Sequence, residues 1–316
     1  LRDDPRDGGR GRARLRRLLL WGAGAAALAV GAFFVAAHAV PLPARLSVAD
    51  STVITWRDGT VAHVFLAEDD RWRVAPVDLD PAYVEALLRL EDRRFFEHPG
   101  VDLLAITRAL VGNALAGRRV SGASTITMQL VRLLEPRPRT WRSKLVEAFR
   151  ALQLEAHLDK HEILAHYLRF VPYGRNIEGV EAAALSYFGH RADALTPAEI
   201  ATLLAVPQGP STRAPRPGNA GVLRRARDAI AARLLAEDAL HAVGQAADPG
   251  QVLLQVHRAP VPTGYRPFPR EIPHAARWLR AQAPRDARIP TTLDRGAQRL
   301  AQRRLLKVIE GLAAAE

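Results

Sequence analysis

The sequence predicts a mostly α-helical protein whose main domain stands behind one N-terminal transmembrane helix and a small β unit. Three observations carry that expectation. An apolar run fills 18–40, alternating residues flank a turn at Asp58-Gly59, and helical periodicity with recognisable caps extends from Asp80 to Leu235.

The composition sets the outer bounds. A chain of 316 residues with 48% hydrophobic and 25% charged residues can bury a sizeable core, which excludes a disordered or collagen-like protein. The absence of cysteine excludes a disulfide scaffold, a thiolate metal site and a cysteine nucleophile together. Lys+Arg 45 against Asp+Glu 33 leaves a formal charge of +12. Such an excess favours an anionic partner: nucleic acid, an acidic membrane surface or a phosphorylated substrate.

Residues 1–17 carry seven arginines and read as a cytoplasmic basic tail. The 23 residues of 18–40 are apolar except for His38, and about 20 helical residues suffice to cross a bilayer core. A cleavable signal with its cut near Ala37-His38-Ala39 is the alternative, but signal cores run only ~7–15 residues. The expectation is therefore an uncleaved, single-pass anchor in the inner membrane. The arginines before it hold the N-terminus in the cytoplasm and put the rest in the periplasm.

Residues 41–79 read as a stalk with a small β unit. Val53, Thr55 and Trp56 lead into Asp58-Gly59, and Val61, His63 and Phe65 alternate beyond it, as in a hairpin. From 80 to 247 the pattern is helical. Asp80-Pro81 caps and starts the first helix, whose buried stripe is Tyr83, Val84, Leu87, Leu88 and Leu90. Further helices are expected over Asp102–Leu115, Thr125–Leu134, Arg142–Leu158, Lys160–Phe170, Val180–Phe188, Thr196–Val206 and Ala220–Leu235. Thr196-Pro197-Ala198-Glu199 is a capping box with proline in its first turn. Six prolines between Pro249 and Pro273 mark 248–316 as a linker followed by one last helix from Arg295.

Three segments are richer in chemistry than a helical bundle needs. At Glu91–Gly100 a helix ends in a carboxylate backed by Phe95 and Phe96, where partial desolvation would favour a working base; a solvated charged turn is the plain alternative. At Ser121–Gln129 three hydroxyls and Gly122 stand before a helix N-terminus, which suits an anion or an ordinary N-cap. Over Arg142–Tyr167, Lys144 and Glu147 are three apart and Glu147, Ala151 and Glu155 four apart, on one helical face. That face is either a cation and carboxylate turned to a cleft or a surface ion pair contributing ~0.3–0.5 kcal/mol. No Gly-x-Gly-x-x-Gly, P-loop, zinc-type His-x-x-x-His with a partnering Glu, or Ser-x-x-Lys occurs.

In order, these segments resemble the peptidoglycan glycosyltransferase domain (glycosyltransferase family 51) of class A penicillin-binding proteins. The resemblance runs from about Tyr83 to Leu235. It rests on E-D-R-R-F-F-E-H-P-G at 91–100, G-A-S-T-I-T-M-Q at 122–129, K-L-V-E-A at 144–148, K-H-E-I-L-A-H-Y-L at 160–168 and Arg227 in R-R-A-R-D-A-I. Met128, Leu134-Glu135-Pro136 and Pro207-Gln208-Gly209-Pro210-Ser211 look most like the one-C subtype. Ser143 replaces the arginine usual in the third motif, with Arg142 adjacent, and Arg169 replaces the asparagine usual in the fourth. Thr291-Thr292-Leu293-Asp294 resembles the entrance to a transpeptidase domain, which this stretch of chain lacks, so no transpeptidase activity is expected of it.

The resemblance implies a lysozyme-like fold and an enzyme of cell-wall synthesis. That enzyme polymerises lipid II into glycan strands with release of polyprenyl diphosphate. It implies Glu91 as general base and Glu147 as a second catalytic carboxylate that orients a cation or holds a metal. Its substrate-binding positions would be Asp92, Phe95, His98, Gly122, Ser124, Thr125, Thr127, Gln129, Arg142, Lys144, Lys160, Tyr167 and Arg227. Lys144, Arg142 and Arg227 would neutralise the leaving diphosphate, with a divalent cation (Mg or Mn) as an optional helper and no certain cofactor. Partners would be lipid II, the lipid-linked glycan, the inner membrane and cell-wall synthesis or division proteins, not nucleic acid. Two other readings stay open: a lysozyme-like lytic muramidase with Glu91 as acid, and a non-catalytic lipid II-binding scaffold on the membrane.

Overall fold

The computed structural model describes residues 20–22, 24–25, 28, 30–117, 124–237 and 248–313. Two compact units divide the chain, one ending at Leu46 and one from Ser47 onward. In the first, 30–39 are helical. Among the described residues no helix is long and apolar enough to cross a membrane. The basic tail 1–17 lies outside the described residues, as do 18, 19, 23, 26, 27 and 29 of the expected span 18–40.

The second unit is mostly helical with two small sheets. Helix α1 (Pro81–Glu91) starts where expected: the Asp80 carboxylate accepts from Ala82 N at 2.9 Å. Its other oxygen accepts from Leu195 N at 2.7 Å, which ties the start of α1 to the loop before the Thr196 cap. Helices α2 (Leu103–Ala116), α3 (Ile126–Leu134), α4 (Trp141–His157) and α5 (Lys160–Phe170) follow, each N-capped by an Asp or Thr side chain. α3, α4 and α5 pack on one another. α6 (Val180–Tyr187) is buried over its whole length, and its one acid, Glu181, is satisfied by Arg191 and by Ala192 N. α7 (Pro197–Ala205) begins with the expected capping box and packs on α8 (Ala220–Ala236).

The hairpin also forms. β1 (Val53–Thr55) pairs antiparallel with β2 (Val61–Val64) around Gly59. β3 (Trp72–Arg73) pairs in parallel with β4 (Ile177–Glu178), just beyond α5. That junction holds the largest buried charge of the β unit. Arg73 is fully buried and its guanidinium donates to Glu178 (2.7 and 3.0 Å), Asp69 (2.6 Å) and Ala49 O (3.0 Å). An arginine can be buried there because each of its three side-chain nitrogens meets an acceptor, two of them carboxylates.

The proline-rich stretch departs from the linker expectation. Pro249 and Pro273 sit in the first turns of α9 (Pro249–Arg258) and α10 (Pro273–Gln282), where a missing N–H costs nothing. β5 (Arg288–Pro290) then pairs in parallel with β1, so the order of the first sheet is β2-β1-β5. Ile54, Trp56, Ala62, Ile272, Ala276 and Ile289 close a second core. The prolines therefore punctuate folded elements. α11 (Arg295–Ala313) ends the described chain and exposes Leu300, Leu305, Leu306, Val308 and Ile309.

Replacing Arg73 with Met takes the two guanidinium donors from Glu178 Oε2, leaving Arg71 at 3.6 Å from the other oxygen, and is expected to lower unfolding free energy by about 3 kcal/mol in a urea titration. The exposed Arg57–Asp294 pair should contribute less than about 1 kcal/mol by the same measure. His63 is buried in β2, and burial with Arg270 and Arg277 nearby holds its imidazole below the ordinary 6.5. The unfolded chain then takes up that proton first as pH falls, so stability is full above about pH 6.5 and declines below it. His63→Asn should flatten that decline.

Candidate active site

Helix α1 ends at Glu91, and the next residue explains where that end is fixed. The buried Asp92 carboxylate accepts from Ile126 N at the start of α3 (3.0 Å) and from His98 Nε2 (3.1 and 3.2 Å). His98 Nδ1 accepts from Gly100 N at 3.1 Å, so the ring proton sits on Nε2 and points at Asp92. Thr125 donates to Gly100 O (2.6 Å) and accepts from Met128 N (3.1 Å), capping α3. Gly100, at φ +88°, presses on α4: a Cβ there would lie 2.8 Å from Glu155 Cγ and 3.0 Å from Ala151 O. Lys160 completes the brace, donating to His98 O (2.6 Å) and Glu155 (2.7 Å) and lying 4.5 Å over the Phe95 ring. Thr127 donates to the same Glu155 oxygen at 2.7 Å.

Held this way, Glu91 lines a cavity of about 310 Å³ with Ser124, Gln129, Arg132, Arg139 and Tyr167, closed by Val171, Pro172, Pro207 and Gln208 among others. Gln129 Nε2 donates to Glu91 Oε2 at 3.0 Å, and Gln208 Nε2 donates to Oε1 at 3.2 Å. The Tyr167 hydroxyl donates to Gln129 Oε1 at 3.2 Å, which fixes the amide with its NH2 towards Glu91. Burial and the nearby Glu91 carboxylate push the Tyr167 phenol well above its ordinary range, so it stays a donor. Arg132 lies three residues after Gln129 on the same face of α3. Its Nε and Nη2 donate to the two oxygens of buried Glu147 at 3.1 and 2.8 Å.

The expected site residues thus divide. Glu91, Ser124, Gln129 and Tyr167 meet at the cavity, and Glu147 stands behind it through Arg132. Asp92, Phe95, His98, Thr125, Thr127 and Lys160 are instead interior braces whose polar atoms already have partners. Arg142 and Lys144 are exposed on the first turns of α4 and are not among the cavity-lining residues. Arg227 is a correction. It is 0% exposed and donates to Asp228 (2.8 Å) and Ala259 O (2.7 Å) beneath α9, so it joins helices and does not reach the cavity. Gly122 lies outside the described residues.

Three polar wall residues were not among the expected site residues: Arg132, Arg139 and Gln208. The helical spacing Gln129–Arg132 was a usable signal for the first; Gln208 lay in a segment noted only for its likeness of subtype, and nothing local marked Arg139. The aromatic backing expected for Glu91 is also different, since Phe95 packs under Lys160 and Phe96 lies against His161. A resident divalent ion fits poorly. Among the described residues no three His, Asp or Glu side chains converge, and both oxygens of Glu147 are taken by Arg132.

Residues 58–234 match the Transglycosylase family. The chain belongs to that family. It is 36% identical to penicillin-binding protein 1C of Escherichia coli (strain K12) over 263 residues, 82% of this chain and 32% of that protein. Penicillin-binding protein 2D of Bacillus subtilis (strain 168) is 37% identical over 171 residues, 54% of this chain and 25% of its own. Penicillin-binding protein 1A of Escherichia coli (strain K12) is 43% identical over 152 residues, 46% and 18% respectively. The chain spans about a third or less of the length of these relatives. All five motifs and the cavity walls fall inside the matched transglycosylase segment.

The Arg132–Glu147 pair makes an asymmetric prediction. Arg132→Met leaves a buried carboxylate without its partner, whereas Glu147→Gln leaves a half-exposed guanidinium that water can reach. Denaturant unfolding should show Arg132→Met as the more destabilising, by about 1–3 kcal/mol.

Proposed function

We propose that this transglycosylase cavity is a peptidoglycan polymerase site, with Glu91 as the general base. The observation that carries the reading is that one carboxylate and two guanidinium groups, Glu91, Arg132 and Arg139, share a single cavity. A hydroxyl nucleophile needs a positioned base. A diphosphate leaving group needs cations and no general acid.

In this reading the sugar 4-hydroxyl of an incoming lipid II attacks the anomeric carbon of the growing strand. The new C–O bond forms as the bond to the polyprenyl diphosphate breaks, and the hydroxyl proton passes to Glu91. Arg132 and Arg139 take the neutralising role first sought in Lys144, Arg142 and Arg227. Glu147 orients Arg132, and Ser124 and Gln129 contact the donor. The mostly helical body is then the lysozyme-like scaffold that the motifs imply. A lytic muramidase would have no use for two arginines beside its acid, which disfavours that alternative.

The same reading places the site at a membrane. Leu103, Leu104, Val111 and Leu115 on α2 and Trp141 and Leu145 on α4 are each more than half exposed, unusual for side chains facing only water. A lipid-linked substrate supplies an apolar neighbour for them. The anchor over 18–40, the cytoplasmic N-terminus and the periplasmic catalytic domain belong to this proposal, as do cell-wall partners.

The test is conversion of labelled lipid II by the chain and by Glu91→Gln. Wild type should form glycan polymer, and Glu91→Gln should be slower by about 100-fold or more. Solubilised fragments from intact cell wall, or equal rates for both chains, would contradict the reading.

A further inference from the structure

The segment Pro207–Ser211 carried only a likeness of subtype in the sequence, yet it touches the reactive carboxylate. Gln208 donates through Nε2 to Glu91 Oε1 at 3.2 Å, and its own Oε1 accepts from Arg213 Nη1 at 3.1 Å. The same Arg213 nitrogen donates to Ala205 O at 3.0 Å, at the end of α7. An amide held at its oxygen by a guanidinium can present only its NH2 at the other end. Across the carboxylate the logic repeats, with Tyr167 holding the oxygen of Gln129 and Gln129 donating to Glu91 Oε2.

We infer that Gln208 and Arg213 form a second positioning arm for Glu91, set opposite the Tyr167–Gln129 arm. One arm fixes one oxygen and leaves the carboxylate free to swing about its last bond. Two arms on different oxygens fix its plane, which leaves the remaining lone pairs aimed at the cavity. The arms stand on separate parts of the fold, α3 and α5 for one and the turn Pro210–Arg213 after α7 for the other. Gly209 keeps that turn tight: a Cβ there would come within 3.2 Å of Thr212 Oγ1 and 3.5 Å of Arg213 Nε. The kinetic side of this inference rests on Glu91 as base; the geometric side does not.

The experiment therefore has two readouts on Arg213→Met and Arg213→Lys, using the whole chain labelled with 15N-glutamine. In Arg213→Met the side-chain NH2 signals of Gln208 should shift and exchange several-fold faster, while those of Gln129 stay put; Arg213→Lys, which keeps a donor, should restore most of the wild-type behaviour. In lipid II polymerisation, Arg213→Met should lower kcat about tenfold with KM within about twofold. Adding it to Gln208→Leu should cost nothing further. Unchanged Gln208 signals, or losses that multiply in the double variant, would overturn the arm. A wild-type chain that forms no polymer would instead refute the activity, and the amide signals would still decide the arm.

Discussion

The buried Asp92 carboxylate is the constraint on which the site depends. It takes an N–H from the first turn of α3 and another from His98, so it welds the end of one helix to the start of another. A helix N-terminus favours a negative charge, and a buried carboxylate needs several donors; each requirement meets the other. Because Glu91 precedes Asp92 directly, the weld also decides where Glu91 stands. The chain then spends Thr125, Gly100, Lys160 and Glu155 on keeping that turn closed.

Seen from this weld, the polar motifs contain two kinds of residue with the same appearance in sequence. Glu91, Ser124, Gln129 and Tyr167 face open space, while Asp92, His98, Thr127 and Lys160 satisfy one another inside. Glu147 belongs between them, hidden from the cavity but holding the guanidinium that lines it. Six polar residues at a helix end say that something is charged there; they do not say which side chain points outward. Orientation is set by partners far along the chain, such as Glu155 for Thr127 and the His98 carbonyl for Lys160.

Much of the fold was legible. Caps at Asp80, Asp102, Thr125, Asp159 and Thr196 are local chemistry, and their helices begin within a residue or so of where those side chains put them. The Asp58-Gly59 hairpin is equally local. What stayed hidden was non-local. The pairing of β5 with β1 joins residues more than 200 apart, and no turn signal announces it. Clustered prolines looked like a linker because proline in a first helical turn and proline in a spacer read alike until the partner surface is known. Arg227 looked like a ligand group for the same reason: its motif says that an arginine is needed, and burial beneath α9 says why. Conversely, Arg139 had nothing beside it to mark it as a wall residue, and Gln208 sat in a segment whose only signal was a likeness of subtype.

If Asp92 acts through the placement of Glu91, the two residues cannot contribute independently to the reaction. A double-variant cycle on lipid II polymerisation measures this directly, using Asp92→Asn, Glu91→Gln and the pair together. The account predicts that Asp92→Asn alone slows polymer formation markedly, and that the pair is no slower than Glu91→Gln alone. Losses that multiply, or an Asp92→Asn chain that polymerises at the wild-type rate, would contradict it.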